Sequence, residues 1–221
     1  MLKAVVFDSG WGGDLIADYL EHELPIEIER VIDWRNGPYG EKTPGEIWAL
    51  TEKALAPHIY NADVIVLTET ATALTMLERL RQEYPGQIFV GYGWDLEIMM
   101  RRFSHAMILA NEGAKRSEIY QHSKAHFSDG DLAEPDCIGW ESRIDEVGGL
   151  PDEEIRRAVG NFRGPVILYS PTFLELKPQL RAIAGKHIRI IDMRRALLRD
   201  VCLGLKLRGV DGRAPRDRFA Q

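Results

Sequence analysis

The sequence predicts an α/β fold made of doubly wound parallel sheets. Two observations lead there: short apolar runs alternate with helix-spaced segments along the chain, and the junctions between them carry helix caps, glycines and prolines. With 221 residues and 45% hydrophobic side chains, the chain can bury a substantial core.

In order, the strand-like runs are 4–7, 27–33, 63–68, 88–91, 106–110, 166–170 and 188–192. Between the first two, Leu15, Ile16, Tyr19 and Leu20 share one helical face that closes at Pro25. Thr43-Pro44-Gly45-Glu46 places a capping hydroxyl, a proline at the first helical position and a carboxylate three residues past the cap, so a helix starts there. Helical spacing recurs over 74–82, 95–103, 114–122, 153–162 and 174–183. The Asp-, Glu- and Gly-rich stretch 129–149, with isolated Cys137, Ile138 and Trp140, reads as loop. Residues 208–221 carry four arginines without periodicity and read as a solvated tail.

A formal net charge of −6 gives no general attraction to nucleic acid or anionic lipid, so small molecules are the expected partners. No apolar run of 18 residues and no leader-like segment occurs, and the two cysteines, Cys137 and Cys202, form no framework or zinc motif; a reducing cytoplasm suits them. His122 and His126 have helical spacing suited to a metal, but no third ligand follows in register, so no metal is expected. Trp11, Trp34, Trp94 and Trp140 are expected to be packed aromatics.

Chemistry concentrates at predicted strand ends. Phe7-Asp8-Ser9-Gly10-Trp11-Gly12-Gly13 joins a strand to a helix, where an acid and a hydroxyl reach a ligand and glycines admit close approach. Taken alone, this turn is equally well explained by tight-turn glycines with Asp8 as a helix cap. It is followed by Pro38-Tyr39-Gly40-Glu41-Lys42, by a strand ending in Thr68-Glu69-Thr70-Ala71, by Ala110-Asn111-Glu112-Gly113, and by Leu176-Lys177-Pro178 after Ser170.

In this order and spacing the segments resemble glutamate racemase, of the aspartate/glutamate racemase superfamily, over about residues 4–200. The resemblance implies two α/β domains facing each other across a cleft that holds an amino acid, with the C-terminal strand and helix returning to the first domain. It places the first domain at residues 1–93 plus 187–207 and the second at 94–186. It also implies catalysis without a cofactor, by one cysteine on each face of the substrate, and a tendency to form homodimers. Asp8, Ser9, Pro38, Tyr39, Gly40, Thr68, Glu69, Thr70, Ser170 and Thr172 match cleft positions of the family.

The departures fall on the chemistry. Thr68 and Ser170 stand at the two family cysteine positions, Glu69 at an asparagine, and Thr172 at a histidine. A thiol titrates near pH 8.5 and is readily activated, whereas an aliphatic hydroxyl needs a neighbouring base. Glu69 adds negative charge where a dicarboxylate would sit, so a neutral or cationic ligand is expected instead of glutamate. The sequence therefore supports a racemase-like protein that binds a small amino acid or related acid in the interdomain cleft and has lost ordinary two-cysteine racemisation of glutamate. The alternative is a cofactor-independent amino-acid racemase using Glu69 or Asp8 as acid or base on another substrate. A cleft filled by the protein's own side chains would point to a structural or partner-binding role.

Overall fold

Apolar strands alternating with amphipathic helices bury both faces of a sheet, and in the computed structural model the chain does this twice. Residues 1–128 and 131–207 are described; the tail expected at 208–221 lies outside them. The first half runs β1 (Lys3–Asp8), α1 (Trp11–Glu23), β2 (Glu27–Ile32), α2 (Pro44–Leu55), β3 (Val64–Leu67), α3 (Thr70–Glu83) and β4 (Phe89–Gly91). After a short α4 (Leu96–Met100) come β5 (Ala106–Leu109), α5 (Glu112–Arg116), α6 (Glu118–Lys124), β6 (Leu132–Ala133), α7 (Trp140–Val147), α8 (Asp152–Val159), β7 (Gly164–Leu168), α9 (Lys177–Ala184), β8 (Ile188–Asp192) and α10 (Arg194–Leu207).

All strand pairs are parallel, in the orders β2-β1-β3-β4 and β6-β5-β7-β8. The two sheets thus share one topology, a repeat with no visible trace in the sequence. The period-2 alternation of a strand divides the first sheet cleanly. Val5, Phe7, Ile65 and Leu67 face the layer containing α2 and α3, while Ala4, Val6, Val64 and Val66 face a second core shared with α1, α10 and the other sheet.

The expected start of α2 is present in full: Thr43 Oγ1 accepts from Glu46 N at 3.4 Å, Glu46 Oε2 accepts from Thr43 N at 2.9 Å, and Pro44 holds the first turn. Because Thr43 is exposed, Thr43→Ala should cost about 1 kcal/mol in urea unfolding and Thr43→Ser almost nothing. An equal loss for both would mean that the hydroxyl does not cap.

Several expectations need correction. The C-terminal strand does not return to the first sheet: β8 pairs with β7 from Gly164↔Ile188 to Leu168↔Asp192, and Lys177 of α9 ion-pairs with Asp192 at its end. Only α10 crosses back, after the single residue Met193, and lays Leu197, Leu198, Val201, Cys202 and Leu205 into the shared core beside β3 and β4. A strand completes the open edge beside β7, whereas the first sheet needs a helix to cover a face; local pattern does not distinguish the two destinations.

The stretch read as loop contains β6 and α7. Gly139 and Gly148 bracket α7 in the left-handed conformation, at φ 70° and 76°, and only Trp140 and Ile144 of its eight residues are buried. Its apolar residues are Trp140, Ile144 and the exposed Val147, a stripe too short among acidic neighbours to stand out. The helix expected over 114–122 is divided at Ser117, whose backbone ends α5 and whose Oγ accepts from Tyr120 N to start α6. Trp140 is buried as expected, but Trp11 and Trp34 are 44% and 49% exposed, paired with each other at 6.4 Å.

Candidate active-site cleft

Parallel strands all deliver their C-terminal ends to one edge of the sheet, and here the two edges face each other. Asp8 ends β1, Thr68 and Glu69 follow β3, Asn111 follows β5, and Ser170 follows β7. In each sheet the chain crosses to opposite sides of its first strand, the switch point at which open α/β sheets bind ligands.

The halves meet closely around this point. Thr70 Oγ1 donates to Tyr169 O at 3.2 Å, and Arg116 donates to Gly40 O at 3.0 Å. Gly12 lets α1 reach the turn after Ser170, since a Cβ there would lie 2.8 Å from Pro171 Cβ and 2.9 Å from Thr172 N. What remains between the halves is a cavity of about 10 Å³, room for roughly one water.

Of the residues expected at the cleft, Asp8, Ser9, Pro38, Glu69, Thr70, Ser170 and Thr172 line this cavity. Thr68, Tyr39 and Gly40 lie behind it. Thr68 Oγ1 donates to Asp8 Oδ2 at 2.6 Å, Tyr39 N donates to Ser9 Oγ at 3.2 Å, and the Tyr39 hydroxyl donates to Asp33 at 2.6 Å. Cys137 and Cys202 are buried and line no part of it; burial pushes the Cys137 thiol up to about 12, an inert state.

Two lining carboxylates were missed from sequence, Glu141 and Asp145, which lie four apart on one face of α7 and enter the cleft together. Ser170 Oγ donates to Glu141 Oε1 in a short hydrogen bond, and Asn111 Nδ2 donates to the same oxygen at 2.9 Å. Asp145 Oδ1 accepts from Trp11 N at 3.0 Å, at the first residue of α1. Glu69 Oε2 accepts from Thr72 N at 2.6 Å and caps α3. Helix N-termini attract anions. In this chain the protein's own carboxylates occupy two of those positions.

Among the described residues the cavity is lined by four carboxylates, Asp8, Glu69, Glu141 and Asp145, and by no lysine or arginine. Burial and the charge of Glu69 raise Asp8 well above the usual carboxylate range, against the hydrogen bonds from Thr68 and Ser9. Burial also raises Glu69, opposed by the Thr72 N–H. Burial and the nearby Glu69 charge lift Glu141 to about 7, and burial lifts Asp145 to about 6. All four carboxyls are pushed upward, Glu141 and Asp145 toward neutrality.

Comparison with known proteins agrees with the resemblance drawn from the motifs. No family model matches the chain. It is 26% identical over 219 residues to a glutamate racemase of Roseiflexus sp., covering 93% of this chain and 80% of that one. It is 32% identical over 129 residues to a glutamate racemase of Staphylococcus haemolyticus, covering 56% of this chain and 48% of that protein. Among solved structures, glutamate racemase from Francisella tularensis subsp. tularensis in complex with D-glutamate superposes with a TM-score of 0.79 at 16% identity, over 97% of this chain and 85% of that one. In sequence the chain is similar to glutamate racemases, and it shares their fold.

Proposed function

We propose that this protein binds a small amine-bearing ligand, neutral or cationic overall, in the cleft between its sheets, and that two-thiol racemisation of glutamate is not its activity. The observation that carries this reading is the lining of four carboxylates without a basic side chain among the described residues. An ammonium group relieves their mutual repulsion, while a dicarboxylate worsens it. One added like-charge pair at 4 Å costs about 4 kcal/mol at an effective dielectric of 20, a loss of roughly a thousandfold in affinity. A ligand larger than a water requires the second half, residues 94–192, to draw back from residues 1–93 and α10, taking Glu141 and Asp145 with it. On this reading the protein needs no cofactor and works in the cytoplasm, and a homodimer is the assembly the resemblance suggests.

A second reading is favoured by Glu141. A two-face isomerase needs a proton carrier on each side of the α-carbon, and Thr68 and Ser170 are poor ones unaided. Glu141, hydrogen-bonded to Ser170, stands across the cleft from Glu69 and Asp8. A carboxyl lifted to about 7, as in Glu141, suits that task.

Calorimetric titration with a panel of L- and D-amino acids, run alongside loss of the α-proton NMR signal in heavy water, separates the readings. Binding of a neutral or cationic amino acid without exchange supports the first. Exchange abolished by Glu69→Gln, Asp8→Asn or Glu141→Gln supports the second. Tight glutamate binding at pH 7.5 would remove both, and no binding by any member would leave a self-filled cleft with a structural role.

A further inference from the structure

The pair His122 and His126 acquires through the fold the third ligand that its own segment lacks. Glu97, on the first turn of α4, projects against the end of α6. Its Oε1 lies 3.0 Å from His126 Nε2 and its Oε2 lies 3.8 Å from His122 Nε2, and the two imidazole rings stand 5.8 Å apart at 74°. The three ligand atoms all fall within 4.8 Å of one another, the one such group of His, Cys, Asp or Glu among the described residues.

Tetrahedral zinc with bonds of 2.0–2.2 Å holds its donors about 3.4 Å apart, so closing this set needs only small side-chain rotations. We propose that Glu97, His122 and His126 form a zinc site that ties α4 to α6, with water completing the coordination. Two imidazoles and a carboxylate are a donor set suited to zinc, and all three side chains are solvent-accessible.

The present occupant of the position shows what is wanted there. Arg101 donates to Glu97 Oε1 at 2.6 Å and, through Nε, to His126 Nε2 at 3.3 Å. That nitrogen cannot both accept from Arg101 and donate to Glu97: it carries either a lone pair or a proton. A metal ion satisfies its lone pair together with those of Glu97 and His122, and Arg101, whose side chain is 62% exposed, is free to swing into water. The consequence is mechanical. Helix α4 lies on the connection from the first sheet to the second, so the ion fastens that connection to the second half.

The test uses the full chain without a polyhistidine tag, titrated with zinc chloride in a non-chelating buffer, alongside thermal melts. One equivalent of zinc should bind and raise the melting midpoint. His122→Ala, His126→Ala and Glu97→Gln should each weaken binding roughly tenfold or more, given that even outer-shell partners of a metal ligand are worth 10–100-fold. Arg101→Gln, which removes the competing cation, should tighten it. These positions lie at the surface, and far-UV circular dichroism checks that each variant stays folded. Absence of binding by the wild type, or binding unchanged in the His122→Ala,His126→Ala double variant, overturns the proposal. Weaker binding by Arg101→Gln would also contradict it.

Discussion

Glu141→Gln should stabilise the protein by about 3 kcal/mol at pH 8 relative to its effect at pH 4. Burial and the charge of Glu69 lift the Glu141 carboxyl from 4.5 to about 7. The residue is only partly buried along its length, but it lines the narrow cavity between the halves, where its carboxylate accepts from Ser170. A raised acid means that the folded state binds the proton more tightly than the unfolded chain does. The associated stability is complete below the unfolded pKa near 4.5 and is lost as pH rises to about 7. At about 1.4 kcal/mol per pKa unit the span amounts to about 3 kcal/mol, an upper value because the neighbouring carboxylates share protons. Glutamine keeps the oxygen that accepts from Ser170 and Asn111 and cannot ionise. Urea unfolding of both proteins at pH 4, 6 and 8 measures the difference. A constant gap across that range would mean that Glu141 is not an acid held against its charge.

Trp140→Ala should cost about 3–5 kcal/mol, the usual range for truncating a large buried aromatic. Trp140 is 2% exposed, packs edge-on against Phe173 at 5.9 Å, and donates from Nε1 to Glu154 Oε1 at 2.7 Å. Together with Ile144 it supplies the whole buried face of α7, the helix that carries Glu141 and Asp145 into the cleft. Trp140→Phe should retain most of the packing and lose only the hydrogen bond, about 1 kcal/mol. Thermal and urea unfolding of the pair gives the comparison; a loss below about 1 kcal/mol for the alanine variant would mean that α7 is held by something else.

The fold was legible because parallel strands buried on both faces leave continuous apolar runs such as Val64–Leu67, and the crossover helices between them show a clear stripe. The site was legible where its residues end strands: Asp8, Glu69 and Ser170 lie where any switch-point ligand would be met. Thr68 was placed one layer too far forward, since its outward strand position is absorbed by a bond to Asp8. Glu141 and Asp145 escaped because α7 is short and mostly polar. The signal that could have found them is the i, i+4 pair Trp140 and Ile144 between Gly139 and Gly148, which also sets the two acids four apart. The destination of β8 was beyond local reading, because its apolar residues suit the edge of either sheet.

The return of α10 has a bearing on how the molecule is made. The side chains that finish the core beside β3 and β4 belong to α10, which leaves the ribosome only after the whole second half. The first sheet therefore waits, with an apolar face uncovered, until the whole second half has been synthesised. For this chain the familiar order in which an N-terminal unit folds before its successor emerges is closed off, and completion of the two halves becomes a single late event.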